Sequence, residues 1–287
     1  LPIFLHHPYN SFNPIIKLLN EAADDPNVLS IKITLYRTAK NSTVIDALLK
    51  AAENGKHVSV LFEVKARFDE ENNLKNGLKL EKAGCYVIYG IGSLKTHTKL
   101  LLIVRREGKK IKNYAHMGTG NYNEATSKLY TDLSLMTSNQ KYTKDALEFF
   151  NVITGHSIPD EYENLITAPY YMKDKIISLI QNEIDNSKAG GEGKICIKIN
   201  SLQDKDVIEK LYEASNSGVK IYLIVRGICC LRPGRKDLSE NIKVFSIVGD
   251  YLEHSRIYYF HNLGDPLIYS GSADIMIRSF KIGRAHV

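Results

Sequence analysis

Cysteine is scarce in this chain: Cys85, Cys196, Cys229 and Cys230 are the only four among 287 residues. They form no CxxC pair, and no histidine stands at zinc-site spacing from them, so neither a zinc ribbon nor a disulfide framework is expected. A reducing, cytoplasmic setting fits that pattern. No apolar run approaches the roughly 18 residues that a membrane span needs. The opening residues, Leu1-Pro2-Ile3-Phe4-Leu5, lack both a basic lead-in and a Met. A concentrated basic stripe with interleaved aromatics is missing too, because Lys and Arg alternate with Asp and Glu throughout. Nucleic acid is therefore not the expected partner. The formal charge of +6 suits any polyanion, and charge alone does not choose between nucleic acid, nucleotide and polyphosphate.

What is present is a globular composition, 44% apolar and 24% charged, at a length that suits about two domains. The missing Met leads to the expectation that the chain starts inside a longer protein. The last residues, Ile282 to Val287, back-translate to a common sequencing-adaptor sequence, so the natural chain is expected to continue past Phe280, and His286 is set aside.

Helix and strand signals alternate. Asn13-Pro14 reads as a cap and first turn ahead of Ile15, Ile16, Leu18 and Leu19. Val28 to Tyr36 reads as a strand, Ser42 to Gly55 as a capped helix, and Val58 to Val64 as a strand. A helix from Glu71 to Lys82 and a strand from Tyr86 to Tyr89 follow. Such alternation predicts an α/β fold with helices covering a sheet.

The pattern then recurs. Ile31-Lys32-Ile33, a helix, and the strand after Gly55 are echoed by Ile197-Lys198-Ile199, a helix through Val207, Ile208 and Leu211, and the strand after Gly218. Each half reaches a short histidine motif, His97-Thr98-Lys99 and His254-Ser255-Arg256, about one domain length apart. Each motif leads through a strand to a small-residue turn: Gly118-Thr119-Gly120-Asn121, then Gly271-Ser272-Ala273-Asp274. The Pro-, Ser- and acid-rich stretch from Gly155 to Pro169 marks the boundary, giving domains over 1–160 and 161–287. Ala189 to Gly193 reads as a flexible turn within the second.

The chemistry explains the residue types. A neutral imidazole is a good nucleophile near pH 7 and a good acid once protonated. A Lys or Arg two residues on, read as sharing a strand face with its histidine, can neutralise charge on phosphoryl oxygens. HxK followed by G[ST]x[ND], found twice, resembles the phospholipase D superfamily. That resemblance implies two similar domains packed about a pseudo-twofold axis, with the site in the cleft between them. The diesterase pattern has an Asp after each Lys, with four residues between them. Here Val104 and His261 stand at those places, and Arg256 replaces the second Lys.

Longer motifs refine the branch. Leu35-Tyr36-Arg37-Thr38, Lys65-Ala66-Arg67-Phe68-Asp69-Glu70-Glu71-Asn72-Asn73, Leu94 to Lys99 and Gly118 to Asn123 resemble the polyphosphate kinase family. So do Leu129-Tyr130-Thr131-Asp132, Val225-Arg226-Gly227, Ser246 to Gly249 and Leu252 to Phe260. The resemblance implies reversible transfer of the ATP γ-phosphoryl group to inorganic polyphosphate through a phosphohistidine at His97, with Lys99 and His254 as the other catalytic groups. It implies that Tyr130, Arg226 and His254 contact ATP or ADP. It further implies that Arg37 and Arg67 lie where Mg²⁺ and phosphate bind, and that Arg256 stands among the phosphate contacts. Arginine has no free lone pair, so Arg37 and Arg67 read as phosphate clamps beside the metal rather than ligands. Self-association as a homo-oligomer is a family tendency.

The plainer readings stand beside these. Arg67, in a charged run, reads alone as a solvated surface residue. Tyr130 reads alone as a half-buried strand aromatic, and His6 and His7 as surface groups. Gly90 to Thr96 lacks the GK[ST] spacing of a phosphate loop. A phospholipase D-like phosphodiesterase or nuclease shares the paired motifs and is the alternative enzyme. A non-catalytic polyanion-binding module is the alternative without chemistry.

Overall fold

A computed structural model describes residues 2–63, 70–90, 95–155, 162–280 and 284–285. The chain divides into two compact units, meeting in sequence between Leu165 and Ile166.

Unit 1 runs β1 (Ile3–His7), α1 (Asn13–Asp24), β2 (Val28–Leu35), α2 (Thr43–Glu53), β3 (His57–Phe62), α3 (Glu70–Lys82) and β4 (Tyr86–Tyr89). It continues with β5 (Lys95–Thr96), β6 (Leu100–Glu107), β7 (Lys110–Gly118), β8 (Tyr130–Thr137) and α4 (Gln140–Ile153). Its sheet has the order β1-β8-β7-β6-β2-β3-β4. β2, β3 and β4 are parallel, and β6 and β7 form an antiparallel hairpin beside them. Both faces are covered, and β6 shows why. Leu101 and Ile103 point into the cluster built with α1 and α2, whereas Leu100 and Leu102 meet Phe149 and Phe150 of α4. A continuous apolar run with side chains alternating between faces is the mark of a strand buried on both sides.

Unit 2 runs α5 (Met172–Lys188), β9 (Lys194–Ile199), α6 (Lys205–Asn216), β10 (Lys220–Val225), β11 (Ile242–Phe245), β12 (Leu252–Glu253), β13 (Arg256–Phe260), β14 (Leu267–Gly271) and α7 (Ile277–Phe280). Its five-stranded sheet has the order β11-β10-β9-β13-β14. One core cluster joins Ile195, Ile197 and Ile199 of β9 to Ile180 of α5 and Leu211 of α6.

The repeat is now visible as topology. The path β7-β6-β2-β3-β4 matches β14-β13-β9-β10-β11 in order, and in which strands run parallel. The helices match as well. Ser42 Oγ accepts the Ile45 N–H (3.4 Å) at the start of α2, and Asp204 Oδ1 accepts the Val207 N–H (3.2 Å) at the start of α6. Both helices are closed by a glycine at positive φ, Gly55 at 77° and Gly218 at 88°, a conformation only glycine adopts without strain.

Three local expectations are corrected. Asn13 does not cap α1 but lies inside it, with Phe12 at the cap position and no side-chain cap bond. Ser11 Oγ instead accepts the Asn13 N–H (3.1 Å). The first histidine motif leads into a two-stranded hairpin rather than one strand, and so does the second. His7 is buried, not a surface group, because β1 turns Leu5 and His7 inward and leaves His6 out. The His7 ring lies 5.8 Å from that of Phe12, and Nδ1 is 2.8 Å from the Asn10 carbonyl oxygen.

Candidate functional site

Strand register aligns the two units residue by residue. Ile33 pairs with Leu101 and Ile197 with Tyr258, each partner lying four residues after its histidine. Thr34 therefore corresponds to Lys198, and Tyr36 to Asn200. Leu35 pairs with Phe62 and Ile199 with Val225, so Glu63 corresponds to Arg226.

In unit 1, His97 lies in the link between β5 and β6, outside any strand. This corrects the expectation that His97 and Lys99 stand side by side on an extended strand. Lys99 turns back, and its Nζ donates to the His97 carbonyl oxygen. Thr34 Oγ1 donates to the carbonyl of Thr98 (2.7 Å), and Thr96 N–H donates to the buried Glu63 carboxylate (2.7 Å). Three peptide groups around the histidine are thus gripped, by Thr34 of β2, by Glu63 just past β3 and by the motif's own lysine. Tyr36, just past β2, completes the arrangement. Its ring meets the His97 ring edge-on at 5.0 Å, and the Lys99 ammonium lies 5.1 Å from its centre. The Arg37 guanidinium lies 5.8 Å from the same ring.

The glycine turn after β7 is held by Asp132, which accepts the Thr119 hydroxyl hydrogen. A Cβ at Gly120 would stand 2.5 Å from Asp132 Oδ2, so only glycine fits there. Tyr130, the first residue of β8, is partly buried close by in sequence.

Unit 2 repeats the device with other side chains. Arg256 Nη1 donates to the His254 carbonyl (2.7 Å), as Lys99 does to His97. Lys198 Nζ donates to the Ser255 carbonyl (3.2 Å) and pairs with Glu253 (2.9 Å), as Thr34 does for Thr98 without a charge. Arg256 Nε and Nη2 reach the Asp274 carboxylate (3.2 Å each), and Asp274 Oδ1 also accepts the Asn200 N–H (2.8 Å). Arg226, just past β10, donates from Nε to Asn200 Oδ1 (3.0 Å). His254, Ser255 and Arg256 are all buried.

Each expected site residue in the described part of the chain therefore sits at a strand end or in its histidine link. Arg67 lies outside the described residues, as do residues 91–94 of the stretch before His97. Among the described residues no three His, Cys, Asp or Glu side chains come together to hold a metal ion. No described helix is long and apolar enough to cross a membrane. Val104 packs beside the α4 cluster, and His261 Nδ1 lies 3.3 Å from the Tyr259 hydroxyl.

Two family models cover these two units: polyphosphate kinase C-terminal domain 1 over residues 2–159, and polyphosphate kinase C-terminal domain 2 over residues 165–283. The chain belongs to the polyphosphate kinase family. A polyphosphate kinase of Staphylococcus saprophyticus is 55% identical over 277 residues, 96% of this chain and 38% of that protein. One from Halalkalibacterium halodurans is 54% identical over 279 residues, 97% of this chain and 40% of that protein. The chain thus spans about two-fifths of the length of these polyphosphate kinases. The crystal structure of polyphosphate kinase from Porphyromonas gingivalis superposes with a TM-score of 0.90 at 42% identity, over 100% of this chain and 47% of that one. Yeast tyrosyl-DNA phosphodiesterase shares the fold, with a TM-score of 0.52 at 9% identity.

Sequence reasoning missed Thr34, Tyr36, Glu63, Lys198 and Asn200. Tyr36 lay within a motif singled out for its arginine, and Lys198 within a strand noted only as part of the repeat. The others carry no motif of their own and become legible only once the two sheets are put in register.

Proposed function

We propose that this chain carries the phosphoryl-transfer chemistry of a polyphosphate kinase. An imidazole nitrogen of His97 attacks the γ-phosphorus of ATP. The N–P bond forms as the bridging P–O bond breaks and ADP leaves. The terminal oxygen of inorganic polyphosphate then attacks the same phosphorus, the N–P bond breaks, and the polymer is one phosphate longer. Running backward, the sequence makes ATP. A phosphohistidine is comparable in transfer potential to a phosphoanhydride, so neither half-reaction is steeply downhill.

The observation that carries this reading is the doubled histidine link, each held through its own peptide groups by the cation two residues on. Such a grip fixes the backbone that carries each imidazole and so preorganises the ring for chemistry. His254 is proposed to hold and donate the proton. Lys99, Arg37, Arg67 and Arg256 spread the charge of the transferring group, the main catalytic task in phosphoryl transfer. Tyr130 and Arg226 are proposed to hold the nucleotide, with Arg226 positioned through Asn200.

Magnesium belongs to the reading as a partner of the phosphates. The donor set in the described residues does not fit a protein-built Mg²⁺ site: Arg37 has no lone pair to give, and no triad of carboxylates or histidines is present. Mg²⁺ commonly arrives bound to substrate phosphates and keeps several waters, and no step here is routed through it. The four free thiols support a reducing, cytoplasmic setting, and self-association is kept as part of the proposal.

The test is incubation with γ-³²P-labelled ATP and a search for acid-labile, alkali-stable label on the protein. Label on His97 supports the reading. Turnover of a lipid or DNA diester without protein label would replace it.

A further inference from the structure

Behind the glycine turn of unit 1 lies a cavity of about 10 Å³, at the lower bound of what admits one water molecule. Two residues that line it each bury a polar atom with no hydrogen-bond partner: His116 Nε2 and Asn121 Oδ1. Native folds rarely leave such atoms unmatched, because each costs its full desolvation. His116 is fully buried, and its Nδ1 lies 2.8 Å from the Tyr122 hydroxyl. Burial holds that phenol far above its usual range, so it keeps a proton to donate. That proton can go to Nδ1 or to the His116 carbonyl oxygen (3.4 Å), so Nε2 is a donor in one ring tautomer and an acceptor in the other, whereas Asn121 Oδ1 only accepts. Burial first, and His7 second, push the His116 ring down to about 3, so it stays neutral across ordinary pH.

We propose that one ordered water occupies this cavity, bonded to His116 Nε2 and Asn121 Oδ1, and that His116 is thereby a positioning residue that fixes which end of the Asn121 carboxamide faces the substrate. Water both donates and accepts, so the bridge holds for either tautomer of the ring. The orientation matters chemically. A carboxamide has a donor end and an acceptor end, and an ionised phosphate offers only acceptors. With Oδ1 tied back to the water, Nδ2 is the end left for a phosphoryl oxygen. The matching position in unit 2 is Asp274, which is fixed by direct bonds from Asn200 N–H (2.8 Å) and Arg256. The repeat thus immobilises the same turn position twice, by protein groups in one unit and by a histidine with its water in the other.

This inference rests on the phosphate-binding reading of the turn, and the experiment separates the two. A high-resolution crystal structure of the protein would be paired with calorimetric binding of inorganic tripolyphosphate and thermal melts, for the parent, His116→Gln and His116→Asn. Glutamine places a polar atom near the former Nε2, whereas asparagine reaches only the Nδ1 position toward Tyr122. The parent is expected to show a water within about 3.2 Å of both atoms. His116→Gln should keep it and bind tripolyphosphate within about twofold of the parent. His116→Asn should lose it and bind roughly tenfold more weakly, the scale of one lost hydrogen bond to a charged group. A dry cavity in the parent would overturn the inference, as would equal weakening of both variants in step with their melting temperatures. Failure of the parent to bind tripolyphosphate would count against the proposed function, and the water and the Asn121 orientation would then decide the inference alone.

Discussion

Two histidines of unit 1, His97 partly buried and His116 buried, lead to different predictions. His97 is proposed as the nucleophile, and His97→Ala should abolish covalent labelling altogether. His254→Ala should slow transfer, while any label that forms still maps to His97 by peptide mass spectrometry; label on His254 in the parent would reverse the roles. His116 has a structural job with its own pH signature. Its folded-state pKa is depressed to about 3 from an ordinary 6.5, so the unfolded chain binds the extra proton first. The stability it contributes is present above pH 6.5 and is lost as pH falls from there toward 3. Melting temperatures of the parent should therefore decline more steeply across that window than those of His116→Gln. Parallel curves would mean that the buried ring is not the acid-sensitive group. At this scale the sequence made the paired histidines and their cations legible, because a short motif repeats. It did not make Glu63 or Thr34 legible, because their partners are peptide groups of residues 96 and 98, brought near only by strand pairing.

Among the elements, the histidine links and the glycine turn owe their shape to groups that look ordinary in sequence. Gly120→Ala would press a methyl group into the Asp132 carboxylate at 2.5 Å, so the turn must shift. The expected result is a loss of transfer of about 100-fold, the scale of a displaced preorganised donor set, with a far smaller effect on the melt. Unaltered turnover would show that the turn tolerates the shift. Asp145 on α4 is fully buried and accepts the N–H groups of Glu163 (3.3 Å), Asn164 (2.6 Å) and Leu165 (2.9 Å). It ties the last residues of unit 1 to their own helix. Asp145→Ala should cost about 2–3 kcal/mol, given several charge-assisted bonds lost together, and lower the melting temperature by several degrees. An unchanged melt would mean that water replaces the carboxylate without loss. The strand and helix order was legible in the alternation of apolar runs with caps and closing glycines. The cap of α1 was not, because Ser11, rather than Asn13, meets the first free N–H. The turn-back of Lys99 was not either, since two-residue spacing implies a shared face only where the backbone stays extended.

For the whole molecule, the choice lies between two reactions that paired histidines support. Val104 and His261 occupy the positions that carry acid in the diesterase pattern, and neither brings a carboxylate to its unit's histidine link. Phosphatidylcholine and DNA should therefore remain uncleaved, and robust turnover of either would count against a kinase. The repeat was legible from the sequence as two similar halves. Its depth, down to matching grips on the peptide after each histidine, needed the register of both sheets. The central claim is that the first of these histidines accepts the γ-phosphoryl group. The most direct measurement is incubation of the protein and of its His97→Ala variant with γ-³²P-labelled ATP, followed by peptide mapping under alkaline conditions. The account predicts alkali-stable, acid-labile label on His97 in the parent and none in the variant. Label that persists in His97→Ala, or a parent that takes up none, would contradict it.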